Sequence, residues 1–299
     1  MFIVSIDLAA AEFVVTGYCS NDPEMIRIHK EGLSPHEVTG SNMSGLPIEL
    51  IQKENKYFED QGINSPSQIQ QCRQEKFPEI LKAKWFPRIS SIRQASKKAV
   101  HSGNYGIEYR TFALSNEMPE NEAKAILHLY RNENFKRLPV WYKEIQQELR
   151  DNNRTLENCF GRKVRLLGAW KPDLFQKAYA FKGQSTVGDI MRQCVASVYN
   201  DNFPSEVLQQ VHDSISFQVP ETFCLTKIAD YLKLVVYGKN YLRPDLHYSG
   251  HIFNIGCDVK INTNLGKSHA VPLRVTENIK ETEENLKEGL SKLYGNKNM

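Results

Sequence analysis

Arg93, Lys97, His101 and Tyr105 recur every four residues, and Gly106 follows the last ring. On a helix that spacing lines the side chains along one face. Arginine grips phosphate in bidentate fashion, and lysine binds it as a point charge. The two rings suit a base or sugar. A glycine after them lets the chain turn sharply or approach a base closely. The face therefore suits a nucleoside triphosphate. A solvated basic helix ending at a glycine cap shares the Arg–Lys half of the pattern, but not the ring, ring, glycine continuation.

Two carboxylates stand out as well. Asp7 follows the apolar, β-branched run Phe2 to Ile6, and Asp213 lies between the apolar runs Val207 to Val211 and Ile215 to Val219. Each sits at the end or turn of a strand. An aspartate there is commonly only a turn former or a helix cap, so the pair gains meaning only beside the other motifs.

These residues need elements to hold them. The first segment reads as a strand, Phe2 to Ile6, ending in Asp7, and then a helix opening at Leu8-Ala9-Ala10-Ala11. Ser34-Pro35 is a helix-start signal. Residues 46–84 are polar, punctuated by Pro47, Pro66 and Pro78, and read as a helical insertion with loops. Ile89 to Val100 suits a basic helix. Residues 120–150 place Ala123, Ile126, Leu127, Tyr130, Trp141, Ile145 and Leu149 at helical spacing. Leu156 to Leu167 reads as a hairpin around Gly161, and residues 186–199 as an amphipathic helix. The two apolar strands around Asp213 follow. The last thirty residues hold two more strand candidates and a charged helix, Glu277 to Leu293. Strands thus come first and return late, which predicts an α+β fold interrupted by a helical domain.

Composition sets wide bounds. The chain has 299 residues, 40% apolar and 24% charged, with a formal charge of +3. That permits nucleic-acid binding without pointing to it. No apolar run approaches the roughly 20 residues that cross a bilayer. The N-terminus lacks a basic n-region, so a cytosolic protein is expected. The six cysteines form no CxxC pair and the eight histidines no H-x3-H or HExxH pattern, so neither a disulfide framework nor a zinc site is expected.

In order along the chain, the motifs resemble those of family A (polymerase I-like) DNA polymerases. Arg93-x3-Lys97-x3-His101-x3-Tyr105-Gly106 resembles motif B, the O helix of the fingers. Asp7-Leu-Ala-Ala-Ala-Glu12 resembles motif A, and Gln210-Val-His-Asp213-Ser resembles motif C. Gly161-Arg162-Lys163 is similar to the family's F-G-R segment, and Gln184-Ser-Thr-Val-Gly-Asp189 to its Q-G-T-A-A-D segment. His36 in Ser-Pro-His-Glu is similar to the histidine of its D-I-H segment. Asp258 to Asn264 resembles the closing strand.

The resemblance implies template-directed addition of dNTPs to a primer 3′-end, on primer–template DNA. Asp7, Asp213 and the Leu8 carbonyl would hold two Mg²⁺ ions. His36, Arg93 and Lys97 would hold phosphates, and Glu12 would exclude the ribose 2′-hydroxyl. Tyr105 would stack at the template position, with His101 beside the nucleotide. Arg162, Gln184, Gln210 and His212 would reach the duplex. It also implies a palm at residues 1–20 and 156–299. Helical fingers at 21–155, with the insertion at about 46–84, would lie between its two parts.

The sequence departs from the family at several points. His101 replaces the usual Phe or Tyr, Ser214 the usual Glu and Ala180 an expected Asn. Motif A begins at residue 7, with no thumb before it. The chain is therefore expected to be either a fragment of a longer polymerase or, as the methionine directly before the palm strand favours, one half of a split, bacteriophage-type polymerase whose second polypeptide supplies the thumb and a 3′–5′ exonuclease. Ile279, Leu286, Leu290 and Leu293 form a narrow apolar stripe that suits either docking on such a partner or packing on the chain's own palm. A single-subunit RNA polymerase shares the palm and the R-x3-K helix, but Glu12 argues against it. A non-catalytic replication subunit with a polymerase fold has no need of both Asp7 and Asp213.

Overall fold

Alternation along Phe2–Leu8 buries Phe2, Val4, Ile6 and Leu8 and turns Ile3, Ser5 and Asp7 to the other face. In this computed structural model, which describes residues 1–266 and 270–295, the elements run as follows. β1 (Phe2–Leu8) leads into α1 (Ala11–Ser20), α2 (Pro23–Lys30), α3 (Pro35–Ser44), α4 (Ile48–Gln61) and α5 (Pro66–Lys76). Next come α6 (Ile92–Asn104), α7 (Tyr109–Ser115), α8 (Glu120–His128), a π turn (Leu129–Asn134) and α9 (Leu138–Asp151). The hairpin β2 (Thr155–Glu157) and β3 (Lys163–Arg165) precedes the long α10 (Pro172–Asn200). β4 (Glu206–Val211), β5 (Ser214–Val219) and α11 (Leu225–Tyr237) lead to β6 (Leu246–Tyr248) and β7 (His251–Phe253). β8 (Cys257–Asn262), β9 (Val271–Leu273) and α12 (Ile279–Tyr294) close the order. The mixed content, with an antiparallel sheet, is the expected α+β class.

Compactness divides the chain into residues 1–12 with 184–299, and residues 13–183. The first unit carries the sheet, in the order β4-β5-β1-β8-β9, every pair antiparallel. Its apolar face presents Phe2, Val4, Ile6, Ile215, Phe217, Val259 and Ile261, all buried. Ile228, Leu232 and Val235 of α11 and Leu286 and Leu290 of α12 are buried in the same unit. Burying each such side chain contributes roughly 1.5–3 kcal/mol. A Cβ on Gly289 would lie 2.9 Å from Ile261 Cδ1, so the absence of a side chain lets α12 sit close on β8.

The second unit is helical apart from the β2–β3 hairpin. One core joins α4, α5 and α6 through Ile51, Phe58, Ile69, Cys72, Phe77 and Ile92. Another joins α3, α6, α7 and α8 through Met43, Ala99, Phe112, Ala123 and Leu127. Gly40 makes the α3–α6 approach possible: a Cβ there would meet Ser96 Oγ at 2.8 Å and Ile92 Cγ2 at 3.1 Å.

Several expected boundaries move. β1 does not stop before Asp7 but runs to Leu8, because β5 and β8 pair with it from both sides through Asp7 and β8 as far as Leu8. The following helix starts at Ala11, after a turn in which Ala10 takes φ 49°. The basic helix lies at 92–104 rather than 89–100, since Ser91 caps it through the Gln94 amide at 3.2 Å. The helix expected at 186–199 extends back to Pro172, a residue suited to the first helical turn. Within the last thirty residues, among those described, only β9 is a strand. The α12 stripe packs on its own sheet. Compactness divides the chain after Glu12 and Gly183, since Phe13 packs edge-on to Phe135 at 5.6 Å and Lys182 pairs with Glu148 at 2.9 Å.

Candidate active site

In the sheet-bearing unit, Asp7 stands opposite Ser214 of β5 and Asp258 of β8. Directly paired residues share a face, so all three lie opposite the apolar core. So do Ser5 and Ser216, whose hydroxyls meet at 2.8 Å, and Lys260, paired with Ser5. The β4–β5 turn is two residues long, His212-Asp213, and His212 takes φ 50°. Such turns need positive φ, a state histidine adopts more readily than most residues with a side chain. The turn is tied down at three points. Gln210 Nε2 donates to His212 O at 2.8 Å, Ser214 Oγ donates to Val211 O at 2.9 Å, and Leu8 N–H donates to Asp213 O at 2.9 Å.

That last bond brings Asp213 beside Asp7. Asp7 opens to solvent but sits among many protein atoms. Its partial burial, and then the Asp213 carboxylate in hydrogen-bond contact with it, push its pKa up to about 6; Asp258 adds to this and Lys260 opposes it. A carboxyl that holds its proton beside a second carboxylate is poised to exchange it for a cation. Mg²⁺ binds through one or two carboxylates completed by substrate phosphate and water, and the Asp7 and Asp213 carboxylates fit that requirement. Among the described residues, no group of three or more His, Cys, Asp or Glu gathers as a complete metal cage.

The remaining sheet-unit candidates are dispersed. Glu12 is half-buried in the first turn of α1, Gln184 is exposed on α10, and Gln210 and His212 are exposed at the motif C turn. The structure draws Gln210 and His212 to the carboxylates, and shows no bond linking Gln184 to them.

In the helical unit, α6 presents Arg93, Lys97 and His101 from successive turns, and His36 of α3 faces them. The His36 and His101 rings lie 6.3 Å apart. Burial, then Arg93, His101 and Lys97, drive the His36 pKa down to about 3. Its imidazole is thus neutral, and Nδ1 is buried without a hydrogen-bond partner. Three cationic or ring groups around an unpaired imidazole nitrogen form a setting for an anion. Tyr105 departs from the helical expectation: α6 ends at Asn104, and Tyr105 caps it with its hydroxyl buried and unpartnered. Gly106 follows at φ 66°, and a Cβ there would lie 2.9 Å from the Tyr179 ring. Arg131 braces this end of α6 by donating to Ser102 O at 2.9 Å and Ile107 O at 2.7 Å. Arg162 is exposed on the β2–β3 loop, which Asn158 Oδ1 shapes by accepting from the Phe160 and Arg162 amides at 3.0 Å each.

A sequence profile of DNA polymerase family A matches residues 80–252, more than half of the chain. The chain belongs to DNA polymerase family A. Two thermostable DNA polymerases I, from Thermus aquaticus and Thermus thermophilus, are each 21% identical over 232 residues. Those alignments cover 73% of this chain and 23% and 22% of the relatives, so the chain spans about a quarter of their length. The fold is similar to the POL domain of Pol1 from M. smegmatis, solved with DNA primer-template and dNTP. That match has a TM-score of 0.61 at 16% identity, over 88% of this chain and 40% of the other. Among the described residues no helix is long and apolar enough to cross a membrane.

Sequence reasoning gave no role to Asp258 or Lys260. The alternation Asp258, Lys260, Asn262 against Val259, Ile261 would have placed both on the polar face of a strand. It also missed Glu37, which pairs with Arg93 at 3.4 Å, and no local signal marks it.

Proposed function

We propose that this chain is the palm and fingers portion of a DNA-directed DNA polymerase. The sheet-bearing unit takes the palm role and the helical unit the fingers role. The observation that carries the reading is the Asp7–Asp213 pair on the polar face of an antiparallel sheet, in a chain that also carries the Arg93–Lys97 helix. When bound, two Mg²⁺ ions would lower the pKa of the primer 3′-hydroxyl and neutralise charge on the triphosphate and leaving pyrophosphate. Asp7, Asp213 and the Leu8 carbonyl would hold them. Arg93 and Lys97 would hold the triphosphate oxygens, and the neutral His36 would donate an N–H to one of them. Glu12 would close the space a ribose 2′-hydroxyl needs. Tyr105 and His101 would border the nascent base pair. Arg162, Gln184, Gln210 and His212 would contact the primer–template, reading minor-groove acceptors common to all base pairs or its backbone. The duplex grip would be completed by a thumb, which we assign to a second polypeptide or to further chain, acting in the cytoplasm of a cell or viral host.

The test is primer extension by Asp7→Asn and Asp213→Asn. Each should lower single-turnover extension by more than about a hundredfold, because loss of even an outer-sphere metal contact costs 10–100-fold. Primer–template affinity should be nearly unchanged. Near-normal extension by either variant would remove the pair from the chemistry.

A further inference from the structure

We infer that Glu37 and Gln52 are positioning residues for Arg93, and that the α4–α5 segment buttresses the phosphate-facing end of α6. The inference rests on the phosphate role proposed for Arg93.

Glu37 lies in the first turn of α3, where its amide donates to the Ser34 cap. Its carboxylate is divided between two partners. Oε1 faces Arg93 Nε at 3.4 Å, and Oε2 accepts from Gln52 Nε2 at 2.7 Å. Gln52 belongs to α4, within the polar segment 46–84. Among the described residues, no hydrogen bond occupies Arg93 Nη1 or Nη2. Glu37 therefore engages the Nε side of the guanidinium and leaves its outer edge for an anion. An arginine loses side-chain rotamer entropy on binding; a carboxylate that already holds one side removes part of that loss.

The same segment fixes the helix that carries Arg93. Glu54 of α4 and Arg73 of α5 are fully buried and pair at 2.6 Å. Glu54 Oε2 accepts from the Ile92 amide at 2.8 Å, an orphan donor in the first turn of α6. Asn55 Oδ1 accepts from Ser91 Oγ at 2.7 Å, so the α6 cap is itself held by α4. Arg73 also donates to Ser90 O at 2.9 Å and to Pro87 O. Backbone cap and guanidinium are thus both referenced to one helix. An ordinary surface ion pair would not account for a second oxygen held from an independent helix.

Triphosphate affinity of the full chain, measured by equilibrium titration of dATP with Mg²⁺, tests this in wild type, Glu37→Ala, Glu37→Gln, Gln52→Ala, Arg93→Ala and the Glu37→Ala/Arg93→Ala double variant. Glu37→Ala should weaken dATP binding about fivefold. Gln52→Ala should weaken it less, and Glu37→Gln, which retains an acceptor for Arg93, should recover most of the loss. In the Arg93→Ala background, Glu37→Ala should have no further effect on binding. A parallel thermal unfolding series separates these effects from lost folding. Additive losses in the double variant, or tighter dATP binding by Glu37→Ala, would overturn the positioning role while leaving the phosphate role of Arg93 intact. Unchanged affinity in Arg93→Ala would overturn both.

Discussion

The Asp7 carboxyl keeps its proton to about pH 6, against 3.8 for a free group. Its folded pKa is raised, so its contribution favours the fold as pH falls from about 6 towards 3.8, and the ionised pair is a strain on the sheet above that range. Cation binding displaces the proton. Mg²⁺ affinity should then be flat above about pH 6 and fall up to about tenfold per unit below it, as a calorimetric titration across that range would record. The slope should vanish in Asp7→Asn; a persistent slope would assign the titration elsewhere. Glu12 makes a separate prediction. Glu12→Ala should lower the dNTP-to-rNTP preference by about 10–200-fold, the range for one pocket contact, measured as the ratio of kcat/KM values; an unchanged ratio would remove it as the sugar gate. The positions of these residues could be read from sequence because local spacing sets them: aspartate at strand–turn junctions, cations four apart. Glu37 could not, since it acquires its neighbours from other helices, and the alternation around Asp258 gives its face but not its pairing with Asp7.

Elements were readable where a cap or strict alternation marks them. Ser34-Pro35 opens α3, and the runs flanking Asp213 became β4 and β5 close to the expected limits. The ends of β1 and α6 were not, because distant partners set them: β5 and β8 carry β1 past Asp7, and Ser91 with Glu54 fixes where α6 begins. The purpose of residues 46–84 was equally hidden, since a Gln-rich polar composition says nothing of a buried Glu54–Arg73 pair. Arg73→Met should destabilise the chain by about 3–5 kcal/mol, since it strands a buried carboxylate. Denaturant unfolding would measure it, and Glu54→Leu combined with Arg73→Met should recover a large part. If the single variant were as stable as wild type, α5 would not be anchoring the α6 entry.

For the molecule as a whole, the α12 stripe changes the outlook for truncation. Leu286 and Leu290 are buried in the sheet's own apolar layer rather than offered to a partner. Removing residues 276–299 should lower Tm by several degrees or more, because each 1 kcal/mol lost shifts Tm by about 2–4 °C at this size. A differential scanning measurement with no shift would mean that α12 is dispensable for folding. The net charge of +3 offers little for gripping a duplex.

The central place of β1 also bears on how the polypeptide is made. Ser5 waits for Ser216, 211 positions later, before their hydroxyls can meet, and β8 follows later still. At about 5–20 residues per second, translation leaves this apolar strand without its neighbours for roughly 10–40 seconds. The intervening helices make local contacts and can fold meanwhile. The ribosome-bound intermediate would therefore be a finished helical body trailing an unpaired, aggregation-prone strand. Such a nascent chain gives a chaperone a reason to engage this strand rather than the helical body.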